Sequence, residues 1–349
     1  MKNRINLSKY NIRTDLIIDH NIEKNNLKKK KINNNINITT IDVNKSLSKE
    51  LNKEEGKYIT IEFTDITNHE DKLEVQNCLT NELKKLLKEQ NINEQEEGLI
   101  IGLGNKYSTP DSLGPKVIDK ILVTRHLFEL NTNVKKGIRK VAALSPGVMA
   151  TTGIDSSDII ISIIKKIKPK FLIIIDALAS SSIDRINKTI QLTNTGIHPG
   201  SGIGNYRKEI SKETMNIPII ALGVPTVVDS SIIVNDTLNY LFKHISYLKT
   251  NYNKNKLIIN YNKSHKNDIK DLILNDNEKK EISGILGTLN EIDKKSLITE
   301  VLKSTNNNMI VTPTEIDFLI ENLCDIIATS INKSLHNALN NWQKQLFRL

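Results

Sequence analysis

The chain has 349 residues, 38% of them apolar and only 4% aromatic, so it can bury a full core in one large α/β domain or two smaller ones. Its two cysteines, Cys78 and Cys324, lack metal-ligand spacing and offer no disulfide framework, which points to a reducing compartment. The net charge is +9, but residues 1–50 hold 11 Lys and Arg against 5 Asp and Glu, so +6 of the excess sits there; the rest is nearly neutral and reads as a solvated, Asn/Lys/Ile-biased surface rather than a nucleic-acid patch.

The first residues, Met-Lys-Asn-Arg-Ile-Asn, lack the apolar stretch of a signal peptide, and no later run approaches the roughly 18 apolar residues of a membrane span. A cytoplasmic protein is expected. Residues 16–57 read as a basic, loosely ordered arm, with Lys28 to Lys31 and Asn33 to Asn35 as low-complexity runs. Residues 58–64 alternate like a strand, and Glu70 to Gln90 places Leu73, Cys78, Leu79, Leu83, Leu86 and Leu87 at helical spacing. Residues 99–102 (Leu-Ile-Ile-Gly) read as a buried strand, followed by Ser108-Thr109-Pro110-Asp111 as the entry to a helix over 111–128. Strands are expected at 140–145, 171–177, 189–194 and 217–224, with helices at about 156–168 and 227–244. Residues 249–285 read as an Asn/Lys-rich surface insertion, ahead of helices at 291–303 and 313–340. Strand and helix alternate through short connections. The expected fold is α/β, a mostly parallel sheet with helices on both faces in a single large domain.

Two carboxylates fall at strand ends, where open α/β sheets bind ligands: Asp111, after the first glycine-terminated strand, and Asp176, directly after Leu-Ile-Ile-Ile. Carboxylates within hydrogen-bond reach cannot both ionise easily, so such a pair supplies one general acid and one base. Each has a plainer reading, Asp111 as a helix-entry residue and Asp176 as an acceptor for loop amides. The loop Ile197-His198-Pro199-Gly200-Ser201-Gly202-Ile203-Gly204 frees its backbone to approach a ligand, without matching a dinucleotide fingerprint. Gly223 to Asp229 and Val141 to Thr152 read as strand-to-loop transitions. There is no G-x-S-x-G elbow and no H-E-x-x-H, so serine-nucleophile and zincin chemistry lack support.

Gly102-Leu-Gly-Asn, Thr109-Pro-Asp-Ser-Leu-Gly-Pro115, Ala143-Leu-Ser-Pro-Gly-Val-Met149, Ile175-Asp-Ala-Leu-Ala179, Asn194-Thr-Gly-Ile-His-Pro-Gly-Ser-Gly202 and Gly223-Val-Pro-Thr-Val-Val-Asp229 together closely resemble the germination proteases of endospore-forming bacteria. The resemblance runs from about residue 7 to 340. It implies a hydrogenase-maturation-protease-like fold and an endopeptidase that degrades small acid-soluble spore proteins in the spore core, assembled as a homotetramer. It places the family's proposed catalytic aspartates on Asp111 and Asp176. The glycine-rich loop, with His198, Gly200, Ser201 and Gly202, is expected to supply polar contacts to the substrate backbone or the oxyanion, and Asn105 is expected as a further supporting residue. The resemblance further implies a self-processing zymogen. Tyr10-Asn-Ile-Arg-Thr-Asp15-Leu16 resembles the processing site, making 1–15 a propeptide and 16–349 the peptidase domain. No cofactor, resident metal or membrane partner is expected, and nucleic acid enters only through DNA-bound substrates. Two alternatives stay open: a metal-assisted peptidase using the same carboxylates, and a DNA-binding protein using the basic N-terminal arm.

Overall fold

The computed structural model describes residues 14–20, 22, 27–130, 133–197, 209–251, 272, 274, 276–305, 307 and 309–339. The chain divides into two compact units, a larger one of Arg13–Ser180, Asp184–Val227 and Thr312–Leu349, and a smaller one built chiefly on Val228–Val311. The larger unit carries the sheet, both predicted aspartates and the predicted processing site.

That sheet is mixed. Its strands are β1 (Leu27–Lys31), β2 (Ile36–Val43), β3 (Gly56–Phe63), β4 (Gly98–Gly102), β5 (Val141–Leu144), β6 (Phe171–Ser180), β7 (Thr189–Thr193) and β10 (Ile219–Asp229), in the order β1-β2-β3-β7-β10-β6-β4-β5. β4 pairs parallel with β5 and β6, Gly98 opposite Val141 and Phe171, as the short alternating elements require. The other half, β1-β2-β3-β7-β10, is antiparallel. A two-stranded ribbon, β8 (Gly196–Ile197) with β9 (Ile210–Ser211), stands apart from it.

The expectation of a loose arm at 16–57 is corrected here. Ile36, Ile38, Ile41 and Val43 of β2 are buried, and β2 pairs with β3 over its full length, Ile38 opposite Ile61. Helix α1 (Lys45–Leu51), capped by the Asn44 side chain, then closes the segment. Lys and Asn dominate the composition, but β-branched residues at alternate positions supply one buried face, and that decides the structure.

Two layers cover the sheet. On one face, α2 (His69–Glu89) packs against the last long helix, Ile316–Leu335, through Val75, Leu79 and Leu83 on one side and Ile320, Leu323 and Ile327 on the other. Each such fully buried aliphatic side chain contributes about 1.5–3 kcal/mol. The odd residues of β6, Ile173 and Ile175, belong to this layer. On the other face, Leu172 and Ile174 pack with Ile160 of the helix Ser156–Ile167, which Asp155 caps.

The helix expected over 111–128 is broken into a 3-10 turn at Thr109–Asp111, helix α3 (Leu113–Ile118) and a short helix Arg125–Glu129. Pro110 fits the first turn of the 3-10 segment. Nor are Gly223 to Asp229 a loop: β10 runs through them to Asp229, and the next helix, Ser230–Asn251, starts directly after it. The smaller unit consists of this helix, Asp276–Ser283, Ile285–Thr288, Glu291–Ser304 and the short strand β11 (Ile310–Val311), whose residues pair with Val228 and Asp229 of the same unit. Within the expected insertion at 249–285, helical residues 276–283 are thus ordered. Among the described residues no helix is long and apolar enough to cross a membrane.

Candidate active site

β4 ends at Gly102, opposite Ile175, and the Leu103 N–H donates to the Ile175 carbonyl at 2.8 Å. The next residue of β6 is Asp176. It does not end its strand, as expected from the apolar run before it, but lies inside β6 at the point where the neighbouring strand stops. A buried carboxylate 7% exposed sits there because the sheet edge opens beside it; its Oδ1 accepts from the Ala177 N–H at 2.9 Å. By strand alternation Asp176 shares its face with Leu172, Ile174 and Leu178, opposite the α2 layer.

Asp111 is half-buried in the 3-10 turn that packs against β6 and α3. Its Oδ2 accepts from the Asn105 N–H at 2.8 Å, so Asn105 supports this carboxylate through its backbone. The Asn105 side chain accepts from the Tyr107 N–H instead, tightening the loop. Gly104, at φ +115, allows the turn to close: a Cβ there would lie 2.0 Å from the Asp111 carbonyl oxygen. The structure therefore brings the Asp111 turn to the strand that holds Asp176. His198, Gly200, Ser201 and Gly202 lie outside the described residues.

The segment around Asp15 and Leu16 occupies the same sheet face. Where β4 would have continued beside β6, the Asp15 N–H donates to the Ala179 carbonyl at 3.1 Å, and the Ala179 N–H donates to Asp15 Oδ2 at 2.9 Å. Leu16 and Ile17 are fully buried, and the Ile17 N–H donates to Gln191 Oε1 at 2.8 Å. Ile17 packs with Ile41, Leu47 and Tyr58. Just beyond, the buried Asp19 carboxylate takes Arg185 as an ion-pair partner.

A small cleft of about 60 Å³ opens here, lined by Asp15, Lys53, Glu54, Leu178, Gln191 and Gly196 among others. Leu178 is the next residue after Asp176 on the same face of β6, so the cleft and that carboxylate are neighbours on one surface. The Lys53 Nζ donates to the carbonyl oxygens of Asp15, at 3.1 Å, and Thr14, at 3.3 Å. Burial holds this ammonium below the usual lysine value, opposed by the charges of Asp15 and Asp19. Burial also pushes the Glu54 carboxyl up to about 8, helped by a hydrogen bond with Glu209 and the negative charges of Glu209 and Glu213.

Lys53 and Gln191 are absent from the residues singled out by sequence. Gln191 carries a legible signal, being one of three alternating polar residues, Thr189, Gln191 and Thr193, in a strand buried throughout. Lys53 carries none, sitting in the polar turn Asn52-Lys53-Glu54-Glu55. Among the described residues no group of three His, Cys, Asp or Glu side chains is gathered as a metal-binding set.

The germination protease family matches this chain over residues 10–348. The chain is 40% identical to the germination proteases of Bacillus mycoides (strain KBAB4) and Bacillus cereus (strain AH187), each over 358 residues that cover 97% of this chain and 98% of the relative. Among solved structures it is similar to the NiFe hydrogenase maturation protease HycI from Thermococcus kodakarensis KOD1, with 18% identity and a TM-score of 0.28 over 41% of this chain and 80% of that one.

Proposed function

Because this chain belongs to the germination protease family, and so to the endopeptidases, we propose that it hydrolyses small acid-soluble spore proteins in the spore core with Asp111 and Asp176 as a paired acid and base. One carboxylate, unprotonated, takes a proton from the attacking water; the other, protonated, gives one to the leaving nitrogen. The observation that carries this reading is the placement of Asp176. It is buried where β4 stops, on the face that also presents the cleft, with the Asp111 turn packed against its strand.

The same face supports a zymogen reading, in which 1–15 is a propeptide removed by cleavage between Asp15 and Leu16. The bond proposed for cleavage is held extended at the rim of the cleft, with an acidic residue on its acyl side. Replacing Asp15 by Ala is expected to block that processing. A homotetramer is the assembly proposed from the family, to be read by light scattering.

The test is cleavage of a purified small acid-soluble spore protein by the chain lacking residues 1–15, as wild type and as its Asp111→Asn and Asp176→Asn variants, with and without chelator. Loss of one member of an acid–base pair is expected to lower the rate by about 10²–10⁴. Folded variants that retain full activity would remove both residues from the chemistry. Chelator-sensitive activity restored by a single metal would make the same carboxylates metal ligands instead.

A further inference from the structure

The Asp15 carbonyl oxygen receives two donors. Lys53 Nζ lies 3.1 Å away and Gln191 Nε2 3.4 Å away. The Gln191 amide is oriented by its other end, because Oε1 accepts from the Ile17 N–H at 2.8 Å, which turns Nε2 towards Asp15. The peptide group between them is clamped on both sides. Asp15 is tied to Ala179 through its own N–H and carboxylate, and Leu16 and Ile17 are fully buried. Carbonyl oxygens of well-anchored extended segments ordinarily find one backbone partner; a partly buried ammonium and a primary amide converging on one oxygen is the donor set of an oxyanion site.

We propose that Lys53 and Gln191 take up the negative charge that develops on the Asp15 carbonyl oxygen when the Asp15–Leu16 bond is hydrolysed. This rests on the reading of Asp15–Leu16 as the processing site. Water adds to the Asp15 carbonyl carbon, giving one proton to the unprotonated carboxylate of the proposed Asp111/Asp176 pair, and the electron pair of the C=O bond moves onto the oxygen facing Lys53 Nζ and Gln191 Nε2. When the tetrahedral species collapses, the oxygen's electron pair re-forms the C=O bond, the C–N bond breaks with its electron pair staying on the Leu16 nitrogen, and that nitrogen takes a proton from the protonated carboxylate of the pair. The products are an Asp15 carboxylate and a Leu16 amine. The charged groups facing Lys53 are the Asp15 and Asp19 carboxylates and, with like charge when protonated, His20. Burial strengthens the ammonium's effect on the oxygen, since little water intervenes.

The experiment follows the N-terminus of the full-length chain by mass spectrometry, in wild type, Lys53→Met and Lys53→Arg. Hydrogen exchange across residues 14–20 runs in parallel to read whether the segment stays docked. Lys53→Met is expected to slow cleavage about 100-fold with exchange of the segment unchanged, and Lys53→Arg to recover most of the rate. Equal cleavage rates in wild type and Lys53→Met would overturn the proposal. So would slow cleavage accompanied by full exchange of 14–20, which would make Lys53 a tether for the segment. A wild-type chain that cuts spore protein yet stays whole would instead overturn the processing reading beneath it.

Discussion

His336 ends the long helix Ile316–Leu335 fully buried, and its Nδ1 accepts from the Arg139 N–H at 3.2 Å. A protonated imidazole has no acceptor to offer that N–H. Burial, with the Arg139 charge adding to it, accordingly holds the ring down to about 4, against 6.5 for a free histidine. Between those values the unfolded chain binds the proton and the folded chain does not, so stability is full above pH 6.5 and is lost as pH falls towards 4. The loss is worth on the order of 3 kcal/mol. Glutamine keeps an acceptor and does not titrate. Melting temperatures of His336→Gln are expected to fall less between pH 6.5 and 4.5 than those of wild type; parallel curves would show that this ring does not govern the acid limb.

At the scale of elements, the site depends on how closely α3 approaches β4. A Cβ on Gly114 would lie 2.1 Å from the Leu103 carbonyl oxygen, and one on Gly102 would lie 2.2 Å from the Gly114 carbonyl oxygen. Two facing glycines let helix and strand backbones touch, and that contact sets the height of the Asp111 turn above β6. Gly114→Ala must push α3 outward. Overpacking of this kind costs about 1–3 kcal/mol, and peptidase activity is expected to fall further than the melting temperature alone explains, because Asp111 moves with the helix. Unchanged kcat in a destabilised Gly114→Ala protein would separate helix placement from catalysis.

The same elements show what could be read in advance. β4 and the first half of β6 were legible because their runs are apolar on both faces, which only a central parallel strand satisfies. The continuation of β6 through Asp176 to Ser180 was not, since a charge inside a strand looks like its end until the neighbouring strand is seen to stop. β1 and β2 were hidden by their Lys and Asn residues, and the turn carrying Lys53 has no local signature at all. Its role arises from a contact with residues 38 and 39 positions earlier in the chain.

For the whole molecule, the proposed removal of residues 1–15 would take away Lys2, Arg4, Lys9 and Arg13 together with Asp15. Four positive charges less one negative is +3, leaving +6 of the original +9. The processed chain is expected to leave a cation exchanger at lower salt than the full-length chain, at a pH where histidines are neutral. Identical elution would mean that the released segment stays bound after the cut.

The bond at Asp15–Leu16 separates two stretches of unequal attachment. Downstream, Leu16 and Ile17 have no exposed surface and are part of the core. Upstream, Asp15 is held through polar groups, among them contacts with Ala179, Lys53 and Gln191. While the peptide is intact those two stretches face each other at the high effective concentration of a single chain. On the proposed cleavage the amine half stays anchored by buried aliphatic side chains while Asp15 is held through polar groups that water can replace, so departure of the acyl half would end that proximity. Burial of Leu16 and Ile17 on one side of the bond alone would thus add to the bias that water already gives hydrolysis over resynthesis.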